Sequence, residues 1–172
     1  MTKRLHLLVL LAGLAFLPLA ANARSNESLY NPKEAENLTE SQRSLFGPKS
    51  SSFRYDKRMI RAAEIAAARA RGSSISRCWR YVKQALLASN VIDSYPKTVY
   101  AKQAGGELQE KYGFKKIKVK DPFKAPVGSV LVYGGRGAGH VEIRTAQGFV
   151  SDFRSAKPSP RPLIGVYIKP KA

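Results

Sequence analysis

The chain of 172 residues contains one cysteine, one tryptophan, two histidines, and only 12 acidic residues against 30 basic ones. A single cysteine excludes an intramolecular disulfide, so no covalent staple holds the fold. With so little Cys and His, a zinc site would need several carboxylates, and neither C-x-x-C nor H-E-x-x-H occurs. The sequence also lacks a G-x-S-x-G elbow, a P-loop, the dinucleotide-binding glycine fingerprint and any internal repeat. No pair of carboxylates is marked by its surroundings as a glycosidase pair. The shortage of acid leaves a net charge of +18, spread along the whole chain. A field of that sign attracts polyanions of every kind: nucleic acid, anionic lipid head groups, or acidic polymers of a cell envelope. A hydrophobic content of 44% supports one compact domain with extensions.

The first residues narrow the compartment. Lys3 and Arg4 precede an apolar stretch over 5–19, interrupted only by His6, and Pro18 comes before Ala21-Asn22-Ala23. That layout predicts a secretory signal peptide over 1–23, with an apolar stretch short for a membrane span. An uncleaved anchor is the alternative. Export weakens nucleic acid as a partner and makes a lone thiol a liability unless it has a use. Residues 24–55 mix Asn, Ser, Pro and Glu without a sustained period and read as a flexible polar leader. The folded domain is expected over 56–172.

Within that domain, helical spacing predicts a first helix over 56–71, stopped by Gly72, with a packing face and a solvated basic face. A second helix is expected over 77–89, with Ser76 as its N-cap candidate. A third is expected over 98–112, weakened by Gly105-Gly106. Strand texture follows: Ile117 and Val119 alternate with lysines, residues 129–133 form a buried strand, and residues 163–168 form the last one. Residues 139–144 and 149–153 are the arms of a hairpin around Ala146-Gln147-Gly148, and the glycine cluster over 134–139 connects two strands. Helices first and strands second predict an α+β domain with an antiparallel sheet.

Cys78 falls at the start of the second helix, where unpaired N–H groups and the helix dipole favour a thiolate, helped by Arg77 and Arg80. Those N–H groups also suit a developing oxyanion. A buried, inert cysteine is the structural alternative. The partner it would need is His140, the one histidine left after signal cleavage, in Gly139-His140-Val141-Glu142-Ile143-Arg144. Alternation sends Val141 and Ile143 to the core, and His140, Glu142 and Arg144 to the other face. A Cys–His pair supports nucleophilic catalysis, the imidazole taking the thiol proton and returning it to the leaving amine. Asp152 is the leading candidate to orient His140, and Glu142 is the alternative. A three-residue hairpin loop sets Asp152 on the face of His140; a two-residue loop sets it on the opposite face.

These parts, in this order, resemble the CHAP and NlpC-type peptidoglycan hydrolases. The resemblance rests on Ser76-Arg77-Cys78-Trp79-Arg80-Tyr81-Val82, Ala125-Pro126-Val127-Gly128-Ser129-Val130, Gly139-His140-Val141-Glu142-Ile143 and Gly148-Phe149-Val150-Ser151-Asp152-Phe153. It implies a papain-like core with N-terminal helices packed on a C-terminal antiparallel sheet. It also implies Cys78 as nucleophile, His140 as general base and a polar third residue on the following strand. Asp152 occupies that third place, where His, Asn, Gln or Glu are the commoner choices. The implied activity is hydrolysis of peptidoglycan amide bonds, as a stem-peptide endopeptidase or an amidase, without cofactor or metal. The expected setting is periplasmic or secreted, as a monomer without stable membrane insertion, peptidoglycan being the partner. Two other readings use the same fold: a non-catalytic basic wall-binding protein, and a Cys-dependent acyl transferase. A nucleic-acid binder is disfavoured by the export signal and by weak aromatic–basic interleaving.

Overall fold

The computed structural model describes residues 53–171. The expected signal peptide and nearly all of the expected leader lie outside the described residues. Met59, Ala62, Ala63 and Ala66 recur at i, i+3, i+4 and i+7, and all four are buried in helix α1 (Arg58–Arg69). Arg58 and Arg61 stay exposed, so α1 is a packing helix with a solvated basic face. The Asp56 carboxylate opens it by accepting the Arg58 N–H at 2.9 Å. The helix ends at Arg69, ahead of Gly72, because the Arg71 N–H is drawn 2.8 Å to the Asp152 carbonyl in an extended segment.

Helix α2 (Cys78–Ala88) buries Trp79, Val82, Lys83 and Leu86 at the same helical spacing and packs against α1. The third helix starts later than its sequence suggests. Residues 98–100 are not helical, Ala101–Gln103 form a 3-10 turn, and α3 spans Ala104–Tyr112. The buried Glu107 carboxylate explains the delay. It accepts the N–H groups of Lys97 and Thr98 at 2.6 and 3.0 Å, holding that segment against the helix and outside it. Gly105 sits mid-segment because a Cβ there would overlap the Tyr167 hydroxyl.

Six strands follow: β1 (Lys115–Ile117), β2 (Val130–Tyr133), β3 (His140–Thr145), β4 (Gly148–Val150), β5 (Arg154–Ser155) and β6 (Leu163–Ile168). They form one antiparallel sheet in the order β1-β6-β2-β3-β4-β5. Strand β2 is apolar throughout because both its faces are covered. Val130 and Val132 join Val141, Ile143 and Val150 under the helices, with Met59, Val82 and Leu86. Leu131 and Tyr133 face the other way, into a smaller cluster with Ala125, Phe149 and Val166. Each fully buried Leu, Ile or Val of the larger core stabilises the fold by roughly 1.5–3 kcal/mol. The sheet therefore fixes β2 and β3 rigidly, and β3 begins with His140.

Candidate active site

Cys78 is the first residue of α2 and is half-buried. Ser76 does not cap this helix: its φ of 59° turns the chain, and Arg77 takes the cap position without a side-chain bond of its own. The loop before the helix is held from across the sheet. Asp152 is fully buried, and its Oδ2 accepts the N–H groups of Ile75 at 2.8 Å and Arg77 at 3.0 Å, with the Ser74 hydroxyl at 3.3 Å. The Ser151 hydroxyl donates to Oδ1 at 3.1 Å. Burial pushes this carboxyl up, but the N–H groups of Arg77 and Ile75 and the Ser151 hydroxyl outweigh it and hold it below the usual carboxylate range. Asp152 thus fixes the loop that delivers Cys78.

His140 is brought to Cys78, within side-chain hydrogen-bonding reach. Its Nε2 lies 3.3 Å from Glu142 Oε2, and 15% of its side-chain surface is exposed. Tyr133 and Phe153 flank the ring, with centroids 6.0 and 6.4 Å away. Burial opposes the imidazolium, but the bonds and charges of Cys78 and Glu142 more than offset it, raising the pKa to about 9. Glu142 is itself held: its Oε1 accepts the Tyr133 hydroxyl at 2.6 Å and the Ser159 N–H at 3.3 Å. Burial, with the Glu142 carboxylate adding to it, raises the Tyr133 hydroxyl far above its ordinary value, so it stays a donor. Tyr133 pairs with His140 across β2 and β3, and Leu131 pairs with Glu142.

The hairpin decides which acid meets the imidazole. Thr145 pairs with Gly148 and Ile143 with Val150, so the loop is the two residues Ala146-Gln147. Continuing that register sets Phe153, and not Asp152, opposite His140. In the structure Glu142, two residues along the same strand and on the same face, contacts the imidazole, while the Asp152 carboxylate bonds to the loop before Cys78. Tyr133 was legible only as a core strand residue; its place opposite His140 follows once β2 and β3 are paired. Trp79 is core: it is buried and donates through Nε1 to the Thr98 carbonyl at 3.1 Å.

The loop between β2 and β3 borders the same end of the sheet. Gly139 has a φ of 77°, and a Cβ there would lie 2.5 Å from the Tyr133 carbonyl and 2.7 Å from Lys102 Cβ. Only glycine permits this approach, which lets the Lys102 N–H reach the Ala138 carbonyl at 3.0 Å and sets the entry of β3. No group of His, Cys, Asp and Glu among the described residues is arranged to hold a metal ion.

This architecture has a solved counterpart. A chain of the crystal structure of the type VI effector–immunity complex Tae3–Tai3 from Ralstonia pickettii aligns with a TM-score of 0.54 and 26% sequence identity, covering 64% of this chain and 98% of that one. A second crystal structure, the selenomethionine form of the complex, aligns with a TM-score of 0.46 and 28% identity, covering 55% and 80%. No family model and no curated protein matches the sequence. The fold is α+β and papain-like, with three helices packed on a six-stranded antiparallel sheet.

Proposed function

We propose that the chain is a cysteine hydrolase of peptidoglycan amide bonds, an endopeptidase of the stem peptide or an amidase. The observation that carries this reading is the Cys78 thiol at the start of α2, beside the His140 imidazole, whose Nε2 lies 3.3 Å from Glu142 Oε2. With Nε2 turned to Glu142, Nδ1 is the nitrogen that receives the thiol proton, and the helix dipole favours the resulting thiolate. The thiolate attacks the amide carbonyl. Asp152 occupies the N–H groups of Ile75 and Arg77, so those of Cys78 and Trp79 remain for the developing oxyanion. Collapse of the tetrahedral intermediate breaks the C–N bond, and the imidazolium protonates the leaving amine. Water, deprotonated by His140, then attacks the thioester, releasing the acid and regenerating the thiol.

The substrate class rests on the resemblance to CHAP and NlpC-type enzymes and on the basic surface, which suits an anionic wall. The likeness to a chain of a type VI effector–immunity complex supports a dedicated protein that restrains the enzyme. The expected setting is periplasmic or secreted. Purified sacculi digested with wild type and with Cys78→Ala test the reading. Soluble fragments from wild type alone are the expected result, and their masses name the bond. Equal release by Cys78→Ala contradicts it. Binding of sacculi by both proteins, with no release by either, favours the non-catalytic wall-binding alternative.

A further inference from the structure

The start of α2 borders a groove of about 630 Å³ that the chemistry above does not use. Four arginines line it: Arg69 from the end of α1, Arg71 from the link, Arg77 directly before Cys78, and Arg80 on α2. All four are exposed, and no acidic residue lines the groove. The ion pairs among the described residues lie elsewhere, at Asp56, Glu107 and Glu142. Two of the guanidinium groups are steadied by neutral partners that leave their charge uncancelled. Arg69 Nη2 donates to Gln84 Oε1 at 3.3 Å, and Arg71 Nε donates to the Tyr81 hydroxyl at 3.2 Å. Four like charges around one concavity repel one another unless an anion lies between them. Guanidinium forks match carboxylates in two-bond geometry. Ile75, 37% exposed, adds an apolar patch to the same lining.

We propose that this groove binds the free carboxylates of a peptidoglycan stem peptide. The proposal deepens the hydrolase reading and rests on it for the substrate class. A stem peptide combines what the lining offers: carboxylates for the arginine forks, and small apolar side chains for Ile75. The volume suits a few residues of such a peptide. Arg77, directly before Cys78 in sequence, sets the groove at the N-terminal end of α2.

The test is a calorimetric titration of the full chain carrying Cys78→Ala, which binds without turnover. One ligand is a soluble stem tetrapeptide with free carboxylates; the other is the same peptide with its carboxylates amidated. The free acid is expected to bind more tightly. Adding Arg71→Gln and Arg80→Gln lowers its affinity at least about tenfold, the scale of losing a charge-assisted hydrogen bond. The amidated peptide is expected to be indifferent to that change, and the thermal midpoint to stay within about 3 °C, as for exposed substitutions. Equal affinity for the two peptides overturns the proposal, and so does unchanged free-acid binding in the arginine variant. Polyphosphate binding as tightly as the free acid, with the same loss in the variant, reassigns the groove to polyanions in general. Digestion of sacculi by wild type without any carboxylate preference contradicts the groove alone. Carboxylate-selective binding without digestion contradicts the hydrolase reading alone.

Discussion

His140 has Cys78 and Glu142 beside it in the folded chain and loses both on unfolding, and this sets its pH behaviour. Its pKa rises from an ordinary 6.5 to about 9, so it binds its proton more tightly when folded. The stability this contributes, on the order of 3 kcal/mol, is fully present below pH 6.5 and is lost as pH rises through about 9. Deprotonated His140 has no proton to give the leaving amine, so kcat/KM is expected to fall above about pH 9. Glu142→Gln removes the negative neighbour at Nε2 and moves that alkaline limb to lower pH; a limb that stays in place contradicts the role given to Glu142. Asp152 behaves differently. Its lowered pKa means that its contribution is present above the usual carboxylate value and is lost as pH falls through the depressed one. Asp152→Ala leaves the N–H groups of Ile75 and Arg77 without their acceptor, at a cost of about 2–4 kcal/mol in urea denaturation. The alkaline limb of its residual activity is expected to stay where wild type has it. Cys78 and His140 were legible in the sequence because each stands alone in the domain and each sits where an element begins. The choice between Asp152 and Glu142 was not legible, because one residue of hairpin loop length transfers Asp152 from the face of His140 to the face of Val141.

Between elements, closeness of approach decides which residues are allowed. Gly105 and Gly106 are consecutive residues in α3 with opposite surroundings. A Cβ on Gly106 meets nothing nearer than Glu110 Oε1 at 3.9 Å, so Gly106→Ala is expected to stabilise the protein by about 0.5–1 kcal/mol. A Cβ on Gly105 collides with the Tyr167 ring, so Gly105→Ala is expected to destabilise by about 1–3 kcal/mol despite its better helix propensity. Thermal unfolding of the two variants should move in opposite directions; a shared direction contradicts the packing of α3 on β6. The sequence carried the helix here but not its start, because Glu107 reaches back to Lys97 and Thr98 and propensity does not register a side chain acting at a distance. Ser76 misled as a cap for a related reason. The acceptor at the start of α2 comes from Asp152, 75 positions beyond Arg77. Strand periodicity served better: the apolar run at β2 and the last strand over Leu163–Ile168 are both present where their patterns put them.

For the molecule as a whole, the order of helices before strands was enough to give an α+β domain, because an antiparallel sheet needs helices on only one face to close a core. The net charge of +18 is a property of the surface and not of the fold. It predicts binding to sacculi that weakens as salt rises from 50 to 300 mM, equally in wild type and Cys78→Ala, measured by co-sedimentation. Salt-independent binding would assign wall affinity to apolar contacts instead. The central claim, a covalent path through Cys78, is tested most directly by acid-quenching a digest of peptidoglycan fragments and weighing the peptides of the protein. The expected result is an acyl adduct on the peptide that carries Cys78, present in wild type and absent in Cys78→Ala. Release of soluble fragments with the thiol unmodified throughout, and undiminished after its alkylation, would contradict the account.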